Sequence, residues 1–452
     1  MSSDPRNTSG PDPEVDFTQP MTFSYMVGLY LAVNAIRDLF LLIEGPDCTY
    51  MKTQFVQGNH DWFSTLTTVS GRHRIANTAL HPDHLSGSRE EQLRAQLSRM
   101  ARDPDVPALA LTSMPMAFVT GADYERLVRD VAEESGKPII QIPGKSLSGD
   151  WLDGYEEALL ALASQIDLSG GSPAPDTVAI VGYLYDRNEA DHSANITELR
   201  RTLEALGLRL ATVWLSGESF ARLRDVRDAG TIISLPYARR AARRLARQTG
   251  ARLIELPVPF GLGATERWVR EIGAALGREA KAEAFIEREL QRIVPRLEWV
   301  VPFLFQNRRM GYVGEPHLVA GLREQLEMLG AELSTVIVTN RERHARHLPE
   351  DMGDAKVLVA PKMKTMLRHI MSLTGEDELH LLITHNMGII GDVPILEFGF
   401  PSHFRHALYE RPFLGFSGAL AFVDSMATAM RMREVELAVR EMREAGIGRL
   451  VP

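Results

Sequence analysis

Cysteine is almost absent: Cys48 is the single one in 452 residues. A lone thiol closes no internal disulfide and cages no metal by itself, so a disulfide scaffold is excluded and a reducing compartment, the cytoplasm, is expected. Excess positive charge is lacking too. A net charge of −9 gives no reason to place nucleic acid as the main partner. No apolar run is long enough for a bilayer. The longest, "VGLYLAVNAIRDLFLLI", is broken by Arg37 and Asp38, whereas a spanning helix needs roughly 20 apolar residues. It reads as a buried helix running into a strand, and no membrane association is expected. The first twenty residues are polar and rich in Pro, Asp and Ser, without the apolar centre of a signal peptide, and read as a flexible tail.

What is present is an alternation. Short apolar runs ("PALALTS", "KPIIQIP", "TVAIVGYL", "GLRLATVWL", "GTIISLP", "ARLIELPVP", "RRMGYVG", "STVIVTN", "AKVLVAP" and "LHLLITH") stand between segments of helical period. In "ITELRRTLEALG", Ile196, Leu199, Leu203 and Leu206 share one face. Strands apolar on both faces and separated by helices predict parallel sheets with crossover connections. A Gly/Ser/Pro-rich linker at 167–177 and a change of pattern near "FQNRRMGYVG" divide the chain. The reading is α/β, with three Rossmann-like doubly wound domains. A tail (1–20) precedes domains at 21–170, 171–303 and 304–416, and a C-terminal helical segment (417–452) is expected to pack on the first.

Several familiar motifs fail. "PGKS" at Pro143–Ser146 resembles a phosphate-loop ending, but Ile139 stands where its first glycine belongs. No GxGxxG follows a strand, so no nucleotide cofactor is expected, and no GxSxG elbow supports a hydrolase. The pairs in "HPDH" (His81, His84, with Asp83) and "RHARH" (His344, His347) lack a completing ligand set and read as surface histidines. Arg239, Arg240, Arg243, Arg244 and Arg247 lie on one helix and read as a solvated face. Asp123 and Glu125 have no second acidic motif beside them. No catalytic residue is identified. The chemistry rests on Cys48 or on a partner.

The segment "AVNAIRDLFLLIEGPDCTYMKTQFVQGNHDWFSTLTT" resembles the nitrogenase component 1 superfamily, which carries a His-Gly-Pro-x-Gly-Cys turn followed by a Thr-Thr pair. Gly45, Pro46 and Cys48 are kept; Glu44 replaces the histidine and Asp47 the second glycine. "SMPMAFVTGADYERL", "ITELRRTLEALGLRLATVW", "LPVPFGLGATERWVREIG" and "GFPSHFRHALYERPFLGFSGAL" are similar, in order, to later motifs of the family, so the resemblance covers the chain beyond residue 20.

The resemblance implies an iron–sulfur cluster, a [4Fe–4S] type, shared between two related subunits. Of the three cysteines per subunit in the largest version, the first falls near Ser24, the second on Cys48 and the third near Pro115. Only Cys48 survives, as one ligand of a cluster completed by an α-type partner. The family's cofactor-holding cysteine and histidine fall near Pro236 and Leu414, neither a metal ligand, which implies that no nitrogenase-type cofactor is carried. The implied function is that of a β-type subunit of a two-component oxidoreductase, supplied with electrons by an ATP-dependent iron–sulfur reductase. It looks most like the β subunits of the cofactor-assembly scaffold and of chlorophyllide-reductase-like enzymes. A scaffold for metallocofactor assembly and a cluster-free, non-catalytic partner are the alternatives.

Overall fold

The computed structural model describes residues 17–67, 73–145, 147–386, 388, 390 and 393–444. Among the described residues, thirteen strands form three sheets in which every pairing is parallel. The first contains β1 (Leu39–Glu44), β2 (Ile75–Asn77), β3 (Ala108–Ser113) and β4 (Ile139–Gln141), in the order β2-β1-β3-β4. The second contains β5 (Ala174–Val181), β6 (Arg209–Val213), β7 (Ala229–Ser234) and β8 (Arg252–Glu255), in the order β6-β5-β7-β8. The third contains β9 (Arg309–Gly314), β10 (Glu332–Val338), β11 (Lys356–Val359), β12 (Leu381–Thr384) and β13 (Ile395–Glu397), in the order β11-β10-β9-β12-β13. The three doubly wound sheets expected from the pattern are therefore present, and all ten quoted runs contain a strand. The three-residue strands β2 and β13 were not anticipated; they are too short to show a pattern.

Each order reverses beside the first strand of its sheet, and there the loops leaving neighbouring strands diverge and open a crevice at the carboxyl ends. The three crevices lie between β1 and β3, β5 and β7, and β9 and β12. The Cys48 turn described below stands at the first of them.

The apolar run that is too short for a bilayer is a core helix, Tyr25–Asn34, buried at all ten positions, and it leads into β1. It packs on the helix Trp151–Gln165 through two glycines. A Cβ on Gly28 would stand 1.7 Å from the carbonyl oxygen of Trp151, and one on Gly154 would stand 1.9 Å from that of Tyr25. The backbones approach so closely that only hydrogen fits.

The last helix, Gly415–Glu444, corrects an expectation. Its main contacts are with the helices Ala190–Ala205 and Leu262–Leu276 and with β12 and β13, in the second and third sheets rather than the first. The reason is aromatic: Phe416 packs on Phe285, and Phe422 on Phe260 and Phe398. Among the described residues no helix is long and apolar enough to cross a membrane.

Candidate functional site

β1 and β3 run side by side, with Glu44 opposite Ser113. The chain leaves β1 through Gly45 and Pro46. Gly45 N donates to Thr78 Oγ1 at 3.2 Å, and Gly45 O accepts from Leu80 N at 3.0 Å. A Cβ on Gly45 would stand 2.8 Å from Met114 Cγ, so the turns after β1 and β3 touch. Thr49 Oγ1 donates to Pro46 O at 3.2 Å and begins the helix Thr49–Val56. Cys48 occupies the residue just before that helix, with its thiol exposed.

Apolar side chains that would ordinarily be buried surround this end of the first sheet. Met51 is 75% exposed and Val119 71%; Tyr50, Phe118 and Leu147 are exposed beside them in chain segments that follow β1, β3 and β4. Trp62 and Phe63, after the helix Thr49–Val56, are exposed as well. Trp62 stacks at 3.8 Å on His406, near exposed Phe404, Leu408 and Tyr409. Exposed apolar side chains on neighbouring loops are the usual material of a protein–protein contact. Beneath it, Glu44 is wholly buried. Burial raises its pKa, partly offset by the Tyr124 hydroxyl, which donates to Oε2, and by the Arg89 charge; Oε1 has no hydrogen-bond partner.

The donor set fits one corner of an iron–sulfur cluster and no more. Four ligands are needed, usually thiolates. Ser24 ends a loop, with a backbone bridge to Asp150, and Pro115 opens the short helix Pro115–Thr120. Neither supplies sulfur.

Residues that follow β5 and β7 in the second sheet and β9 and β13 in the third line a cavity of about 130 Å³. His192 lies 2.6 Å from Asp186 through Nε2 and 2.7 Å from the Tyr183 hydroxyl through Nδ1. Burial alone would raise the Asp186 pKa, but His192 and His60 hold it well below the carboxylate range. Burial lowers His60 to about 4. Across the cavity the Tyr237 hydroxyl donates to Glu315 at 2.6 Å, and burial raises Glu315 to about 7. Leu414 lines this cavity; Pro236 precedes Tyr237, which also lines it. This polar lining was not visible in the sequence. The helix Ala190–Ala205 starts six residues before the apolar pattern does, because its first buried positions are Asp191, His192, Ala194 and Asn195, mostly polar.

The other motifs sort as follows. His81, Asp83 and His84 are exposed. The helix Arg239–Thr249 turns Arg240, Arg243, Arg244 and Arg247 outward, while Arg239 is half-buried against backbone carbonyls. Lys145 pairs with Glu157 at 2.9 Å, and Ser146 lies outside the described residues. Asp123 caps the helix Tyr124–Ser135 through Arg126 N. The surface reading of "RHARH" is corrected. His344 is buried, 3.2 Å from both Asp150 and Asp153. These two acids lie some 190 residues away in sequence, so no local window contains the cluster. Asn340 and Arg341 also bind Asp150, and Arg343 binds Asp153, so the group is an ion-paired clamp between chain segments.

Comparison with known proteins agrees with this architecture. A family model described as nitrogenase component 1 type oxidoreductase matches residues 24–431. The nitrogenase vanadium-iron protein beta chain of Trichormus variabilis is 22% identical, over 89% of this chain and 91% of its own. The light-independent protochlorophyllide reductase subunit N of Roseiflexus castenholzii is 25% identical, over 89% and 90%. A solved structure, nitrogenase Cp1 at pH 6.5, superposes with a TM-score of 0.77 at 16% identity, covering 95% of this chain and 96% of that one.

Proposed function

The chain belongs to the nitrogenase component 1 type oxidoreductase family, and from that premise we propose that it is the β-type subunit of a nitrogenase-like reductase. Cys48 is its one ligand to an iron–sulfur cluster shared with an α-type subunit. The observation that carries this reading is the placement of the only thiol, exposed at the β1/β3 crevice and surrounded by unpaired apolar side chains. A thiol kept merely for packing is normally buried.

When bound, such a cluster stores and passes single electrons. The chain's own residues do the rest. The Gly45–Pro46 turn fixes the Cys48 backbone, and Met51, Phe118 and Val119 exclude water once covered. Three further ligands come from the partner, since this chain has no other thiol. An ATP-dependent iron–sulfur reductase is the proposed electron donor, and the reducing cytoplasm the setting. A second exposed stripe supports doubling of the pair to a heterotetramer. Met432, Val435, Val439 and Met442 follow a three-four spacing along the last helix, the spacing of a helix-pairing seam.

The test is anaerobic co-purification with the neighbouring α-type gene product, followed by an iron count and a visible absorption spectrum. Cys48→Ser should lower iron or shift the spectrum while association and far-ultraviolet circular dichroism stay unchanged, because oxygen suits iron–sulfur coordination less well than sulfur. Full iron in the variant, in a complex whose parent holds a complete cluster, would end the assignment.

A further inference from the structure

The chain reaches its first helix by way of the third sheet. Thr22 Oγ1 donates to Thr339 O at 2.7 Å, Met21 packs against the core beside that sheet, and Phe23 meets His385 edge-on at 6.1 Å. Before them, residues 18–20 lie on the start of the helix Met363–Ser372. Pro20 bridges Lys362 in antiparallel sense, Gln19 O accepts from Met363 N at 3.1 Å, and Thr18 Oγ1 accepts from Lys364 N at 3.0 Å. This register has a direction. Each step back along the chain, from Pro20 to Thr18, is a step forward along the helix, from Lys362 to Lys364.

Beyond Thr18 an open groove continues along the same helix, lined by Met363, Lys364, Leu367, Arg368 and Met371. Met371, at its far end, is 68% exposed. Residues 361–372, "PKMKTMLRHIMS", carry Lys362, Lys364 and Arg368 and no acid, so the positive end of the helix has no carboxylate of its own. Residues 11–17, "PDPEVDF", carry Asp12, Glu14 and Asp16 and no base. Thr18 faces the helix while Phe17, next to it, is 86% exposed, which is the alternation of an extended chain.

We propose that residues 12–16 of this chain, which lie outside the described residues, are an acidic strap that docks in this groove, with Asp16 paired to Arg368 and Lys364 as its anchor. The alternation that turns Thr18 to the helix turns Asp16, Glu14 and Asp12 the same way, and Pro13 biases Asp12 to extended backbone. One helical turn from Lys364 to Arg368 covers about 6 Å, and two extended residues cover about 7 Å. Asp16 therefore comes level with Arg368, whose planar fork suits a carboxylate. Glu14 follows one turn further on, where the strap covers Met371. The strap ties the segment that leads into the helix Tyr25–Asn34 to the third sheet, joining the same two units as the clamp at His344. It is independent of Cys48 and of the reading built on it.

Carbodiimide coupling of the full chain is the first test, because it joins a carboxylate to an amine only where the two already touch. Mass spectrometry of the digest should find Asp16 or Glu14 linked to Lys364 or Lys362 within one chain. The yield should fall about fivefold in 1 M salt, where charges are screened beyond about 3 Å. Hydrogen exchange of residues 363–372 is the second readout. Asp16→Asn with Glu14→Gln, which keeps side-chain size, should speed it about threefold, the scale of one exposed ion pair. Arg368→Glu should do the same, and adding Asp16→Arg to it should restore the parent rate; circular dichroism checks the fold of each. Links to Lys52, Lys137, Lys145 or Lys281 instead, links between two copies or to the α-type partner, or no link at all would overturn the proposal. So would an Arg368→Glu effect that Asp16→Arg leaves unchanged, which would assign the arginine to the helix's own packing.

Discussion

Replacing His344 with glutamine tests whether the clamp of Asp150, Asp153 and His344 holds the first and third sheets together by charge. Nε2 of the imidazole lies 3.2 Å from a carboxylate oxygen of each acid. Burial alone would lower the His344 pKa, but the hydrogen bonds and charges of the two carboxylates outweigh it and raise the value from 6.5 to about 9. A group whose folded pKa is raised stabilises the fold fully below its unfolded value and loses that contribution as pH rises through the folded one. The window is therefore pH 6.5 to 9. The ceiling is about 3 kcal/mol at roughly 1.36 kcal/mol per unit. Asp153 keeps some contact with solvent, which screens the pair, so about 1.5 kcal/mol is expected. Burial lowers His317 and His347 next to the clamp, which places their titration below pH 6.5. Urea unfolding of the parent and His344→Gln at pH 6, 7, 8 and 9 is the assay. The stability difference should be largest at pH 6 and shrink steadily toward pH 9. A difference that stays constant from pH 6 to 9 would show that packing, not charge, holds the clamp.

Four further outcomes follow from the same structure. Gly28→Ala places a methyl carbon 1.7 Å from the Trp151 carbonyl oxygen; overpacking of a backbone contact should cost about 3 kcal/mol or more, read as loss of soluble folded protein or a lowered denaturation midpoint. Arg74 donates from one nitrogen to the carbonyls of Val33, Ile36 and Leu39 at 3.1, 3.0 and 2.7 Å. Arg74→Met removes this buried donor, while Ile36 N and Leu39 N still reach the Val33 and Ile36 carbonyls, and should cost about 2 kcal/mol in chemical denaturation. Glu315 has a folded pKa of about 7, so it favours the fold below pH 4.5 and loses that effect as pH rises to 7; Glu315→Gln should flatten the decline of stability in that interval. Met432→Lys with Val439→Lys should halve the mass of a doubled complex by native mass spectrometry while leaving the α/β pair intact.

The fold class was legible because both signals behind it are local. A strand buried on two faces must be apolar throughout, and a helix covering a sheet must repeat its apolar residues along one face, so ten strands could be read from short windows. Strands such as "IAN" and "ILE" carry too few residues to show either period. The exposed Cys48 turn was legible for the same reason: Gly45, Pro46 and Cys48 lie together in the chain.

The cavity and the clamp were not legible, since each is assembled from distant segments. Glu315 reads as an ordinary surface acid until the Tyr237 hydroxyl is brought beside it. His344 reads as a surface histidine until two acids from the start of the helix Trp151–Gln165 reach it. The final helix was assigned to the wrong neighbour because its apolar face says only that it must be covered. Phe260, Phe285 and Phe398 decided what covers it. The sequence by itself determined which residues form strands and helices, because hydrophobic period and turn chemistry act within a few residues. Which side chains share a crevice, and whether their charges cancel, was decided by the tertiary structure. Coulomb and packing energies depend on distance through space, and distance along the chain does not set it.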